Sequence, residues 1–298
     1  MGPRGPLGRL GATGLGVLPA RGNVAFEAEA MTTPEFTASW RFAYDGLAGY
    51  IAGGHEHGVE PTAGADSQPV TRPMCLNLEH YAARSRTDGL FVPRYKAPVQ
   101  AQQVAADTVR VVVEPYSEWQ VRAAITYRLL PDRVIGARYD FVFGADYSGF
   151  EAFVSSYFRA PNEPYLYLGA GWKQPALGES EHRFWARDPE EAENVRALYS
   201  DAFQRVHLAG TVDPAHYGHP IMVTPVADSG WSVLTLIDRA ECPNLSANRR
   251  WNAHDFSLVG RDVARGESVT SRAWLAYARL ESLDQALTLY QQLAGADS

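Results

Sequence analysis

Residues 119–158 read WQVRAAITYRLLPDRVIGARYDFVFGADYSGFEAFVSSYF, and this stretch decides the fold class. In its first part Trp119, Val121, Ala123, Ile125, Tyr127 and Leu129 share one parity, whereas Gln120, Arg122, Thr126 and Arg128 share the other. Side chains of a strand alternate between two faces, so the pattern predicts a strand with one apolar and one polar face. Pro131 and Asp132 supply a turn, since Pro presets φ and Asp bonds nearby backbone. The return run places Ile135, Ala137, Tyr139, Phe141 and Phe143 on one parity. A long antiparallel hairpin follows, and with it a mostly β molecule.

Working outward, Phe36 to Tyr50 suggests one or two strands, and residues 52–74 a long loop rich in Gly and Pro. Cys75 to Tyr81 suggests a short strand, and Val99 to Glu114 contains another. A helix is expected over 189–204, with Asp188 as N-cap and Pro189 at its first position. Strands are expected over 220–227 and 231–237, joined by Asp228-Ser229-Gly230. Phe256 to Val259 and Ser268 to Leu280 read as a further pair turning near Arg265-Gly266. Ser282-Leu283-Asp284-Gln285 reads as a capping box that opens a closing helix, whose apolar face is Leu283, Ala286, Leu287, Tyr290 and Leu293. Residues 1–30 lack periodicity and read as a disordered N-terminal extension, and residues 31–298 as a single β-sandwich domain. Glycines and prolines break any signal-peptide core there, so a cytoplasmic location is expected.

The net charge of -7 and the well-mixed charges argue against a nucleic-acid partner. No apolar run approaches the ~20 residues of a membrane helix, so no membrane partner is expected either. The two cysteines, Cys75 and Cys242, show no CxxC spacing and read as reduced, partly buried thiols.

The hairpin carries a resemblance. VRAAITYRL, RYDFVF and VSSYF at Val154–Phe158 resemble the central hairpin of the galactose-mutarotase-like superfamily, whose strands end in His-Ser-Tyr-Phe. The resemblance implies a large antiparallel β-sandwich (a supersandwich) with a few short helices, a pocket on its concave sheet, and a small sugar or oligosaccharide as ligand. In one respect the chain departs from the pattern. The family's histidine acts as general acid, and here Ser155 holds its place. A serine hydroxyl does not take up a proton near neutral pH as imidazole does. Related sandwiches include sugar epimerases, domains of glycoside hydrolases and polysaccharide lyases, and non-catalytic carbohydrate-binding modules, so an enzyme doing acid/base chemistry on a sugar and a binding or structural protein both stay open.

Candidate chemistry comes from several clusters. His55, His57 and Glu60 stand together in HEHGVE. In an extended chain the two imidazoles share a face, which suits acid/base work or, as an alternative, a divalent metal; no cofactor is otherwise expected. In Glu79-His80-Tyr81 a regular strand puts Glu79 and Tyr81 on one face and His80 on the other. Arg94, Tyr95 and Lys96 suit an anionic sugar, and Trp119 and Trp251 suit pyranose stacking, although the parity of Trp119 matches the core. Glu151 and Tyr157 share the parity of Ser155 and line the pocket if it does. His254 precedes Asp255, and neighbours in a strand face apart, which weakens a dyad. His216 and His219, in AHYGHP, are placed on a loop at the pocket rim.

Overall fold

The computed structural model describes residues 24–33, 36–44, 54–60, 76–86, 93, 97–105, 108–132, 134–158, 163–175, 183–187, 215–226, 230–248 and 252–296. At 24–33, 36–44, 54–60, 101–103, 109, 129, 183–187 and 215 it describes the backbone alone. Three strands, β1 (Val24–Thr33), β2 (Phe36–Tyr44) and β3 (Gly54–Glu60), form a sheet of their own in that order. β1 thus starts inside the stretch expected as an extension, and β3 replaces the first part of the expected long loop.

All other strands among the described residues join one ladder. They are β4 (Asn77–Ala82), β5 (Val99–Ala105), β6 (Thr108–Val113), β7 (Val121–Leu130), β8 (Val134–Phe143), β9 (Tyr147–Tyr157), β10 (Tyr165–Leu168), β11 (Gly171–Lys173), β12 (Arg183–Arg187), β13 (Ala215–Pro225), β14 (Trp231–Ile237), β15 (Asn244–Asn248), β16 (Ala253–Val263) and β17 (Ser268–Arg279). An α-helix, α1 (Asp284–Gly295), follows the last strand. The hydrogen-bonded order is β4-β9-β16-β15-β12-β13-β14-β17-β8-β7-β6-β5, with β10 and β11 attached beside β13. Pairing is antiparallel except at β12–β13, where Ala186 and Arg187 run parallel to Ala215 and His216.

The ladder folds over on itself at that junction. Ala152, Val154, Phe256 and Leu258 from its first part share one core with Ile125, Tyr127, Tyr139 and Phe141 from its second. The architecture is therefore a mostly β antiparallel sandwich, as the alternation of the central hairpin dictates. In that hairpin Leu130 pairs with Val134 across Pro131 and Asp132, and Asp132 takes φ 60°. Behind the second layer, Ile221, Val223, Leu234, Leu236 and Trp274 pack against Ala286 and Tyr290 of α1, the apolar face expected for the helix.

Some expectations need correction. Val99 to Glu114 is two strands, β5 and β6, paired with each other. β16 and β17 do not pair: β16 lies between β9 and β15, and β17 between β14 and β8. The turn between them is captured by the end of β8, because Gly266 N donates to Phe143 O and Phe143 N to Glu267 O. The chain therefore crosses to the other layer instead of doubling back. α1 opens at Asp284 with no side-chain cap, and Gln285 Oε1 accepts from Glu281 N at 2.9 Å rather than from the Ser282 position. The helix expected over 189–204 lies outside the described residues.

Trp119 belongs to the core. It is 3% exposed and stacks on Tyr147 at 5.6 Å between ring centroids, with Tyr81 and Phe150 beside it. Truncation of Trp119 to Ala is expected to cost about 3–5 kcal/mol in urea unfolding, the range for large aromatic deletions. The same variant should keep any sugar affinity the native protein has.

Candidate functional site

Strand parity sorts β9 cleanly. Ala152, Val154 and Phe158 enter the core, and Glu151, Phe153, Ser155 and Tyr157 take the opposite face. Register carries that face sideways. Ser155 pairs with Asp255 on β16, Asp255 with Ser246 on β15, and Ser155 with Asn77 on β4. One row further along, Ser257 stands opposite Asn244, and on the other side Ala253 stands opposite Asn248. On β12, Arg183, Trp185 and Arg187 occupy the register positions opposite Asn248, Ser246 and Asn244. The face is polar across four strands, yet Asn77, Glu79, Ser155, Asp255, Asn244, Ser246, Asn248 and Ser257 are all buried.

Two carboxylates anchor it. Asp255 accepts from Ser155 Oγ at 2.5 Å and from Asn248 Nδ2 at 3.2 Å. Glu79 accepts from Tyr157 Oη at 2.7 Å and from Asn77 Nδ2 at 3.4 Å. Burial, then the charges of Glu79 and Asp255, push the Tyr157 phenol well above its ordinary pKa, so it keeps its proton and acts as a donor. The arrangement offers two buried carboxylates, a phenolic hydrogen-bond donor and several amide and hydroxyl groups on one surface.

Some of those groups have no hydrogen-bond partner among the described residues. Both polar atoms of the Asn244 side chain, the hydroxyls of Ser246 and Ser257, and Asn77 Oδ1 are buried without a hydrogen bond. Buried polar side chains are nearly always paired, so a patch of four such residues on one face calls for an explanation.

A bulge brings Glu79 to this face. The β4–β9 register shifts between Leu78 and His80, and β4 carries one residue more than β9 there. Glu79 therefore joins Asn77 and His80 on the polar face while Tyr81 stays in the core at 1% exposure. This corrects the expectation that Glu79 and Tyr81 face together and His80 apart. His80 Nδ1 lies 3.9 Å from Glu79 Oε2, and its ring packs 5.5 Å from Phe153.

The other expected site residues fall elsewhere. Glu151 is buried on the same face as Ser155 but four residues along β9, ~13 Å away at the usual strand rise. His254 is a second correction. It points into the core, fully buried, with Nε2 2.8 Å from Thr224 Oγ1 and Nδ1 2.9 Å from Thr235 Oγ1. Phe158 packs edge-on against its ring at 4.6 Å. Burial lowers its pKa to about 3, so it stays neutral and tied between the layers, out of reach of a ligand on the polar face. Trp119, as a core residue, offers no platform. His55, His57 and Glu60 occupy β3 of the small sheet, opposite Phe42, Trp40 and Thr37, and their side chains lie outside the described residues. Arg94, Tyr95, Lys96 and Trp251 also lie outside them. His216 and His219 are in β13, not a loop, and His219 packs between Tyr167 and Tyr290. Cys242 is a buried thiol outside any disulfide among the described residues, and its Sγ donates to Asn244 O at 3.5 Å.

Comparison with known proteins adds a likeness in chain path. No family model and no curated protein matches the sequence. Similar solved structures include an aldose 1-epimerase candidate from Escherichia coli K12, at 13% identity and TM-score 0.46, covering 87% of this chain and 100% of that one. The aldose epimerase homologue of C. elegans is 8% identical at TM-score 0.46, again over 87% and 100% of the two chains. Galactose 1-epimerase from Lactobacillus acidophilus is 9% identical at TM-score 0.40, over 86% and 99%. What the site does has to come from its own side chains.

Proposed function

We propose that the polar face of β4, β9, β16 and β15 binds a sugar and performs acid/base chemistry on it. The observation that carries this reading is the patch of buried, unpartnered polar groups at Asn244, Ser246, Ser257 and Asn77, beside two oriented carboxylates. Sugar hydroxyls donate and accept at once, and amides, hydroxyls and carboxylates in a fixed array match them. Asp255 is the general base, oriented by Ser155 and Asn248. Tyr157 keeps its proton and, through its hydroxyl, orients Glu79 as a second base.

The reading is tested by a panel of D-glucose, D-galactose, D-glucuronate and cellobiose. NMR titration reads binding, and exchange spectroscopy between the anomers reads turnover. Binding of at least one sugar, lost on replacement of Asn244 with Leu, is the expected result. No binding by any of the four contradicts it. A second reading, a non-catalytic sugar-binding protein, is favoured by Ser155 in the place of the family's histidine. It predicts saturable binding with no acceleration of any sugar's conversion and no pH-dependent rate.

A further inference from the structure

Leu76 is the residue from which β4 departs. It is fully buried, and its backbone takes φ 52°, a left-handed conformation that a residue with a bulky side chain seldom adopts. Local strain of this kind persists only where the surroundings hold it. Here both polar groups of the residue are held by side chains. Tyr127 Oη and Tyr139 Oη donate to Leu76 O at 2.9 and 2.7 Å, and Leu76 N donates to Ser156 Oγ at 2.8 Å. A carbonyl oxygen has two lone pairs, and two phenols fill both.

The central hairpin brings these phenols together. Tyr127 pairs with Ala137, and Tyr139 with Ile125, so the two tyrosines are diagonal neighbours on the core face of β7 and β8. The strand they grip continues directly into the site. Asn77 is the next residue, and Glu79 follows in the bulge.

We infer that Tyr127 and Tyr139 are positioning residues of the site: by clamping the Leu76 carbonyl from the opposite layer, they fix the start of β4 and so set Asn77 and Glu79 against Ser155 and Tyr157. For its functional part this inference rests on the sugar reading above. Neither tyrosine touches the polar face. Their action runs through the backbone of Leu76. Removal of both hydroxyls leaves a buried carbonyl without these donors, and the left-handed turn loses what holds it.

The test is the double variant Tyr127→Phe, Tyr139→Phe in the full chain. Two readouts are taken: amide hydrogen exchange of the 76–82 segment, and affinity for D-galactose. Tyr147→Phe is the control, because Tyr147 Oη accepts from Gln120 N and donates to Glu118 O, away from the polar face. In the double variant, exchange over 76–82 is expected to quicken at least ~10-fold and D-galactose affinity to fall by at least ~10-fold. Each single variant keeps one phenol and should show a smaller change in both, which keeps the test open where the pair does not fold. The control should change neither. Exchange no faster than in the control overturns the clamp, and faster exchange with unchanged D-galactose affinity overturns its role at the site. Absence of D-galactose binding by the native protein removes the functional part, while the exchange arm still decides whether the clamp exists.

Discussion

Asparagine in place of Asp255 is expected to remove turnover of any sugar the protein converts, by at least ~100-fold, the lower end of what a general base contributes. Among the partners of the carboxylate are Ser155 Oγ at 2.5 Å and Asn248 Nδ2 at 3.2 Å. An amide of the same shape keeps one oxygen for Asn248. Its NH2 can face Ser155, whose hydroxyl turns to accept. The fold should therefore survive, and sugar affinity should change far less than the rate. A loss in kcat with KM nearly unchanged is the signature of a group that acts on the proton in flight. Turnover within a few-fold of the native rate would move the base to Glu79. Tyr157→Phe then tests that assignment, since it removes the phenol hydrogen-bonded to Glu79.

The second large effect concerns stability. His254 is fully buried and its pKa falls from 6.5 to about 3. The unfolded chain takes up a proton near 6.5, whereas the folded chain refuses it until about 3. In that window the unfolded state binds more protons, so stability is full above pH 6.5 and is lost progressively as pH falls toward 3. At 1.36 kcal/mol per pKa unit the loss is on the order of 5 kcal/mol. Urea unfolding of the native protein and of His254→Gln at pH 7 and pH 4 isolates this contribution from that of the carboxylates. The native protein should lose several kcal/mol more than the variant over that interval. Equal losses would mean that His254 takes up its proton in the folded protein as readily as in the unfolded chain.

Much of the fold was legible because alternation is strong where one face is core. The parity of residues 119–143 specifies β7, β8 and the turn between them. The same rule, applied to Asn244-Leu245-Ser246-Ala247-Asn248, would have exposed the polar face of β15, since polar and apolar residues alternate there without a break. Those asparagines and serines carry neither charge nor ring, so the ionisable and stacking side chains of His, Glu and Trp stand out before them. Three of the residues so favoured, Trp119, His254 and Glu151, lie in the core or far along β9. The position of Glu79 was not legible, because a bulge shifts parity by one residue and leaves no mark in a six-residue strand. Nor was the crossing between β16 and β17. A short Gly turn between two strands reads as a hairpin, and only the capture of Gly266 and Glu267 by Phe143 sends the second strand to the other layer.

The central claim is that the unpartnered polar groups on the outer face of β15 and β16 exist to meet a sugar. A crystal structure of the protein grown with the tightest-binding sugar of the panel tests this most directly. The predicted result is a pyranose with its hydroxyls within hydrogen-bonding distance of Asn244, Ser246 or Ser257 and of the Asp255 carboxylate. A sugar bound away from β15 and β16, with those side chains unchanged, would contradict it.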